Sequence, residues 1–363
     1  MESKGVAVVL SLSHLSKLTG ASYWSLRQVI SRHGDMPYRP FRIPKRSGGA
    51  RLIFEPHPML RHVQRWILDS ILSKVRPNDN AYAFVQGRNA IDAARKHCGA
   101  KWLVKADIVN FFESIQEFKI FKVFADIGYG PLVGFELSRL CTYPYRVGHP
   151  RYEQPEWTHR LGQEHGENGY IGSYFGSYFD SRIGHLPQGA PTSPALSNFT
   201  CKWLDQKLAR YAEMHEWEYT RYADDIVLSK VAANRAEAIE ALNYVRWVAA
   251  RSGFMLNSKK TKIVPPGARK IVLGLLVDGD RPRLTKKFQN DLDMHCHYGL
   301  KLGAKRHSER RHFRSVLSFL DHVQGKISFA FQVDPLRAEG WASKFLIIRS
   351  EYLASVGSDV CNG

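Results

Sequence analysis

A chain of 363 residues that is 44% hydrophobic and 24% charged can bury the cores of two or three subdomains, and wholesale disorder is excluded. Its 52 Lys and Arg against 34 Asp and Glu leave a net charge of +18. That excess points to a polyanionic partner, nucleic acid ahead of an anionic membrane, because each cation beside a phosphate releases a condensed counterion.

No apolar run approaches the roughly 20 residues that span a bilayer. "GVAVVLSLS" (5–13) is short and lacks a cleavage pattern. Cys98, Cys141, Cys201, Cys296 and Cys361 are scattered without a CxxC pair, so a disulfide framework and a thiolate zinc site are not expected. A reducing cytoplasm fits this usage.

In chain order, 11–33 carries Leu12, Leu15, Leu18, Leu26, Val29 and Ile30 at helical spacing, which predicts one or two short helices. "YRPFRIPKRSGGARLIFEP" (38–56) reads as a basic hairpin with Lys45, Arg46 and Arg51 at its tip. An amphipathic helix follows over 57–75, its stripe running through Leu60, Val63, Ile67, Ile71 and Leu72. "KWLVKADIVNFFESI" (101–115) is a short strand ending at Asp107 and turning into the aromatic pair Phe111 and Phe112.

The stretch 145–184 is rich in Gly, Tyr and His and reads as a long loop or small insertion. His149, His159, His165 and His185 fall there or at its edge, but no Cys partner and no HxxxH spacing supports zinc. "HLPQGAPTSPALSNFTCKWLDQKLARY" (185–211) opens as a Pro/Gly loop and becomes a helix, with Ser193 as N-cap and Pro194 at the first position. Leu196, Phe199, Trp203, Leu204, Leu208 and Tyr211 would form its buried face. Then come the doublet Asp224–Asp225 in "TRYADDIVLS", a helix over about 232–251, "GFMLNSKKTKIV" (253–264) and a strand "KIVLGLLVD" (270–278). From about 281 onward the chain reads as helical, basic on one face and apolar on the other.

Adjacent carboxylates repel, so the doublet is either a solvated tight turn or a metal site. If Asp107 joins it on one sheet, three converging carboxylates demand divalent cations, and hard oxygen ligands select Mg²⁺. Two such ions about 3.5–4 Å apart serve in-line phosphoryl displacement.

The order of motifs gives the doublet its context. A strand-end Asp with an aromatic five residues later, then "LPQGAPTSP", "YADD", "LNSKKTK" and "VLGLLV" resembles the motif series of reverse transcriptases. The resemblance covers nearly the whole chain and is strongest to the bacterial retron class, although "AARKH" (93–97) has Ala93 and "VLG" (272–274) has Leu273 where retron enzymes commonly carry Asn and Thr. It implies an α+β right-hand polymerase fold. Fingers with N-terminal helices would span 1–100, an antiparallel-sheet palm 101–280 with the 145–184 insertion, and a helical thumb 281–363.

Roles follow from the resemblance. Asp107, Asp224, Asp225 and the carbonyl of Ile108 would hold two Mg²⁺. Lys45 and Arg51 would grip the triphosphate, and Gln188 and Gly189 would lie against the incoming nucleotide. Phe112 would press on the sugar and exclude a 2′-hydroxyl, while one of the two phenylalanines packs in the core. Lys260 would protonate the pyrophosphate or stand as a solvated lysine, and Tyr222 would support template or primer or be a core aromatic. Gly274 belongs to the primer grip. His97 is tied to RNA, and Arg306, Arg310, Arg311 and Arg314, with Arg281, Arg283, Lys286, Lys287 and Lys305, suit an A-form helix read by shape and phosphate.

The implied function is RNA-templated DNA synthesis from dNTPs on a dedicated non-coding RNA, in anti-phage defence, with a separate effector polypeptide and possible oligomerisation. Three rivals stand beside it: a non-retron defence reverse transcriptase primed by a protein hydroxyl, a catalytically silent RNA-binding scaffold, and an RNA-synthesising polymerase.

Overall fold

The computed structural model describes residues 5–32, 36–44, 48–145 and 183–361. Lys45, Arg46 and nearly all of the 145–184 stretch, with His149, His159 and His165, lie outside the described residues. The chain divides into two compact units: Met1–Arg88, Lys105–Ile226 and Ile239–Lys262 form the first, and Asn89–Val104, Val227–Ala238 and Ile263–Gly363 the second. No helix among the described residues is long and apolar enough to cross a membrane.

The first unit begins with helices α1 (Leu12–Thr19) and α2 (Tyr23–Ser31). Ser11 caps α1 by accepting from the His14 N–H, and Gly20 at φ 69° ends it in the left-handed conformation that glycine adopts without strain. Strands β1 (Tyr38–Pro44) and β2 (Ala50–Pro56) form the expected hairpin, in a register that pairs Ile43 with Arg51. Helix α3 (Pro58–Ser70) starts with proline at its first turn and buries Leu60, Val63 and Ile67 completely.

Helices α5 (Glu117–Ile127) and α6 (Pro131–Cys141) enclose a buried ionic cluster. Glu117 pairs with Arg32 through one oxygen and with Arg139 through the other, at 2.9 Å, and accepts from Thr142 Oγ1 at 2.7 Å. Burial pushes the Glu117 carboxyl up, but Arg139 and Arg32 more than offset it and hold it below the usual carboxylate range. Strands β4 (Tyr143–Pro144) and β5 (Gly184–His185) pair antiparallel beside this cluster, and a Cβ on Gly184 would lie 2.6 Å from the Glu117 carboxylate.

Glu136 on α6 contrasts with Glu117. It is 8% exposed, and burial raises its pKa to about 7 against a modest opposing pull from Arg27. The folded chain therefore holds a proton that the unfolded chain has released, so this residue's contribution to stability is complete below about pH 4.5 and is lost as pH rises through 7. The Glu136→Gln protein should match the wild type at pH 4 and exceed it by about 2 kcal/mol at pH 8, read by urea unfolding at both values.

Helix α7 (Ser193–Thr200) and helix α8 (Lys202–Met214) replace the single helix expected over the second half of 185–211, with the break at Cys201. Ser193 is not the N-cap. Thr192 holds that position, and Ser193 Oγ donates to the Pro187 carbonyl at 2.7 Å, closing the preceding loop. Trp203, expected to be buried, is 40% exposed and lies near Trp247 on helix α9 (Arg235–Arg251). A four-stranded sheet runs in the order β6 (Glu218–Tyr222), β7 (Asp225–Lys230), β3 (Trp102–Asp107), β8 (Lys262–Val264).

In the second unit, Asn89 caps helix α4 (Ala90–Arg95) by accepting from the N–H groups of Ile91 and Asp92. The strand expected over 270–278 is a tight hairpin of β9 (Ile271–Val272) and β10 (Leu275–Leu276). Its two turn residues, Leu273 and Gly274, have φ of 49° and 84°, the positive values a two-residue hairpin turn demands. Strand β11 (Arg283–Leu284) pairs with β10 and leads into three helices, α10 (Lys286–Arg310), α11 (Val316–Phe331) and α12 (Pro335–Cys361). They pack around Phe319, Val323 and Trp341. Gly299 brings α10 close to α12, since a Cβ there would meet Ile348 at 2.6 Å.

Candidate active site

Strand β3 buries Leu103, Val104 and Ala106 and ends on Asp107, itself 7% exposed. Two backbone clamps fix that end. The Asp107 carbonyl accepts from Asn257 N at 2.8 Å, and Ile108 N donates to the Asp224 carbonyl at 3.1 Å. Asp107 and the doublet are therefore joined directly by main chain, across elements more than a hundred residues apart in sequence.

The doublet sits at the turn between β6 and β7, where Ala223 adopts φ 54°. A non-glycine residue in that conformation needs support from its surroundings. Beneath it Arg221, fully buried, forks onto Asp205 of α8 with Nε to Oδ1 at 2.8 Å and Nη2 to Oδ2 at 2.7 Å. Arg221 Nη1 also donates to the Ala223 carbonyl at 3.2 Å, and Tyr219 donates its hydroxyl to Asp205 at 2.7 Å. This support is built from residues on separate elements. Its one signal was an arginine amid the run "EYTRY", where every neighbour but the first turns out at least partly buried.

Three carboxylates so placed oppose one another. Burial, then the neighbouring Asp224, push Asp225 up to about 6. Asp224 is raised as well, by burial and by Asp107, with Lys260 and Arg51 pulling the other way. Lys260 Nζ reaches Asp107 Oδ2 at 2.8 Å, and that bond raises the ammonium's own pKa. Hard oxygen donors whose charge is compensated by only a few nearby cations suit divalent metal ions, and the residues present fit that requirement.

Other expected residues converge on the same unit. Arg51 is exposed on the hairpin, and its charge is felt at Asp224. The Gln188 carbonyl accepts from Phe54 N at 2.8 Å, zipping the loop to β2. Gly189 has φ 118°, and a Cβ there would stand 2.9 Å from the Phe54 carbonyl, so only glycine fits. Phe111 is the core member of its pair, 5% exposed, whereas Phe112 is half-buried, its ring centroid 6.1 Å from that of Phe84. Ile108 is buried and Tyr222 half-buried at the end of β6.

The remaining expected residues belong to the second unit. Gly274 is exposed at the β9–β10 turn, and a Cβ there would meet only open space. Arg306, Arg310, Arg311 and Arg314 are all exposed around the C-terminal end of α10, where cations also complement the helix dipole. His97 is fully buried, with Nδ1 2.7 Å from Ser229 Oγ. Its ring ties the end of α4 to β7.

Residues 43–276 match the family described as reverse transcriptase (RNA-dependent DNA polymerase). Over 328 residues the chain is 27% identical to the retron Ec86 reverse transcriptase of Escherichia coli, covering 90% of this chain and 88% of that one. It is 30% identical over 318 residues to the retron Mx65 reverse transcriptase of Myxococcus xanthus, covering 85% of this chain and 64% of the other. Among solved structures, telomerase from Candida albicans aligns with 86% of this chain and 56% of its own at a TM-score of 0.43 and 13% identity.

Proposed function

The chain belongs to the reverse transcriptase family, in its retron type, with a right-hand polymerase fold, and from that premise we propose that it copies a dedicated non-coding RNA into DNA at the three-aspartate site. That it is an RNA-directed DNA polymerase follows from the family; the template and the metal chemistry are our reading. The observation that carries the reading is the main-chain bond joining Ile108 to Asp224, which brings three carboxylates to one sheet end.

Asp107, Asp224, Asp225 and the Ile108 carbonyl would hold two Mg²⁺, which when bound supply Lewis-acid stabilisation to the attacking and leaving oxygens. Lys260, kept protonated by Asp107, holds at Nζ the proton that the leaving pyrophosphate needs. Arg51 grips phosphate by a two-pronged fork that lysine cannot match, and Lys45 adds a point charge. Gln188 and Gly189 give the nucleotide a flat backbone shelf. Phe112, held by Phe84 and Phe111, screens the sugar face.

The steric role of Phe112 has a direct test. A Phe112→Ala enzyme should incorporate ribonucleotides roughly 10- to 100-fold better relative to deoxynucleotides, measured by single-nucleotide extension on an RNA template. Unchanged discrimination would remove Phe112 from the selection step.

In the second unit the exposed arginines at 306, 310, 311 and 314 offer a surface for the phosphates of an RNA helix, with Gly274 at the primer grip; in the first unit Tyr222 would meet template or primer. We assign the fingers to 1–100, the palm to 101–280 and the thumb to 281–363. Anti-phage defence in the cytoplasm, with a separate effector protein, completes the proposal.

A further inference from the structure

We propose that the C-terminal helices carry a metal site of their own, in which Asp291, His295 and His322 bind one Zn²⁺. Asp291 and His295 stand four residues apart on α10 and so share a face. His322 comes from α11, and one donor atom from each of the three lies within 4.8 Å of the others. The rings of His295 and His322 meet edge to face with centroids 5.6 Å apart.

The two nitrogens of His295 have different neighbours. Nε2 faces Asp291 Oδ1 at 3.9 Å, while Nδ1 lies 3.0 Å from His307 Nε2. A proton on His295 Nδ1 donated to His307 leaves Nε2 with its lone pair toward Asp291. That is the arrangement by which an outer hydrogen bond orients a ligating imidazole. His295 is 3% exposed, with the Phe313 ring edge-on and the Phe319 ring tilted against it, giving the site an apolar wall that limits solvent access.

Two imidazoles and one carboxylate suit Zn²⁺, whereas Mg²⁺ prefers an all-oxygen shell. Zinc bonds of about 2.0–2.1 Å would set the donors roughly 3.4 Å apart, so the three would draw in by about an ångström. Asp291 is paired with Lys326 in this structure, and an incoming cation would displace that ammonium. The bound ion would brace α10 against α11 and leave a fourth position for water.

The test uses the full chain, stripped with a chelator, equilibrated in excess Mg²⁺ to fill the all-oxygen sites, and titrated with ZnCl₂. The wild type should bind one Zn²⁺ per chain and gain about 5 °C in melting temperature at saturation. His322→Gln, at a half-buried position, and Asp291→Asn should each weaken zinc at least tenfold. Lys326→Gln should tighten it, and His297→Gln, exposed on the same helix, should leave it unchanged. Co²⁺ bound to the wild type should give the intense visible bands of tetrahedral coordination, a readout independent of how any variant folds. Absence of stoichiometric zinc on the wild type, equal affinity in His322→Gln and Asp291→Asn, or a weak octahedral cobalt spectrum would overturn the site.

Discussion

The Asp224→Asn protein is expected to lose at least roughly 10³-fold in kcat/KM for primer extension while melting no lower than the wild type in metal-free buffer. Removal of one preorganised donor to a developing charge costs about 10²–10³ in rate, and loss of a carboxylate that positions two cations should exceed that range. The stability expectation runs the other way. Asp224 raises the Asp225 carboxyl and is raised in turn by Asp107, so at neutral pH each adds repulsion to a partly buried cluster. Asparagine keeps the shape of the side chain, and the backbone carbonyl of residue 224 still accepts from Ile108 N. Extension assays with melting curves in a chelator read the two effects separately. A doublet that served as a solvated turn would leave extension unchanged.

The Asp205→Ala protein should lose about 3–5 kcal/mol of stability, because truncation leaves the Arg221 guanidinium buried without its carboxylate. The Tyr219 hydroxyl loses its acceptor in the same step. That cost corresponds to a drop of roughly 10 °C in melting temperature. Polymerase activity should fall further than the folded fraction alone explains, since Arg221 also holds the Ala223 carbonyl that presents Asp224. Arg221→Lys separates the two effects. It keeps a cation beside Asp205 but cannot make the planar fork and the third bond at once, so activity should suffer at a smaller cost in stability. Urea midpoints set against specific activity at equal folded fraction would check this.

Much of the site was legible because its parts are local. Asp107 closes an apolar strand, Asp224 and Asp225 sit between two others, and the Gly-Gly hairpin and the α3 stripe announce themselves by spacing. Gly189 stands in the loop motif, but what demands glycine there, a positive φ and the close Phe54 carbonyl, depends on a strand more than a hundred residues away. What escaped depends on partners distant in sequence. Arg221 reads as an ordinary strand residue until Asp205, on a preceding helix, is seen to receive it. The helix break at Cys201 has no proline or glycine to mark it. Leu273 gives no hint of the left-handed turn it adopts. The histidines that do converge, His295, His307 and His322, are spread over separate turns and helices, whereas the sequence drew attention to those near the 145–184 stretch.

On the proposed reading, the three-aspartate site makes DNA on an RNA the chain itself holds. This is tested most directly by sequencing the nucleic acid that co-purifies with the wild type and with Asp224→Asn, with ribonuclease, deoxyribonuclease, debranching enzyme and proteinase used to type each species. The expected result is one RNA bound by both proteins, and a DNA covalently linked to that RNA with the wild type alone, released by debranching and untouched by proteinase. RNA without any DNA that depends on Asp224 would contradict it.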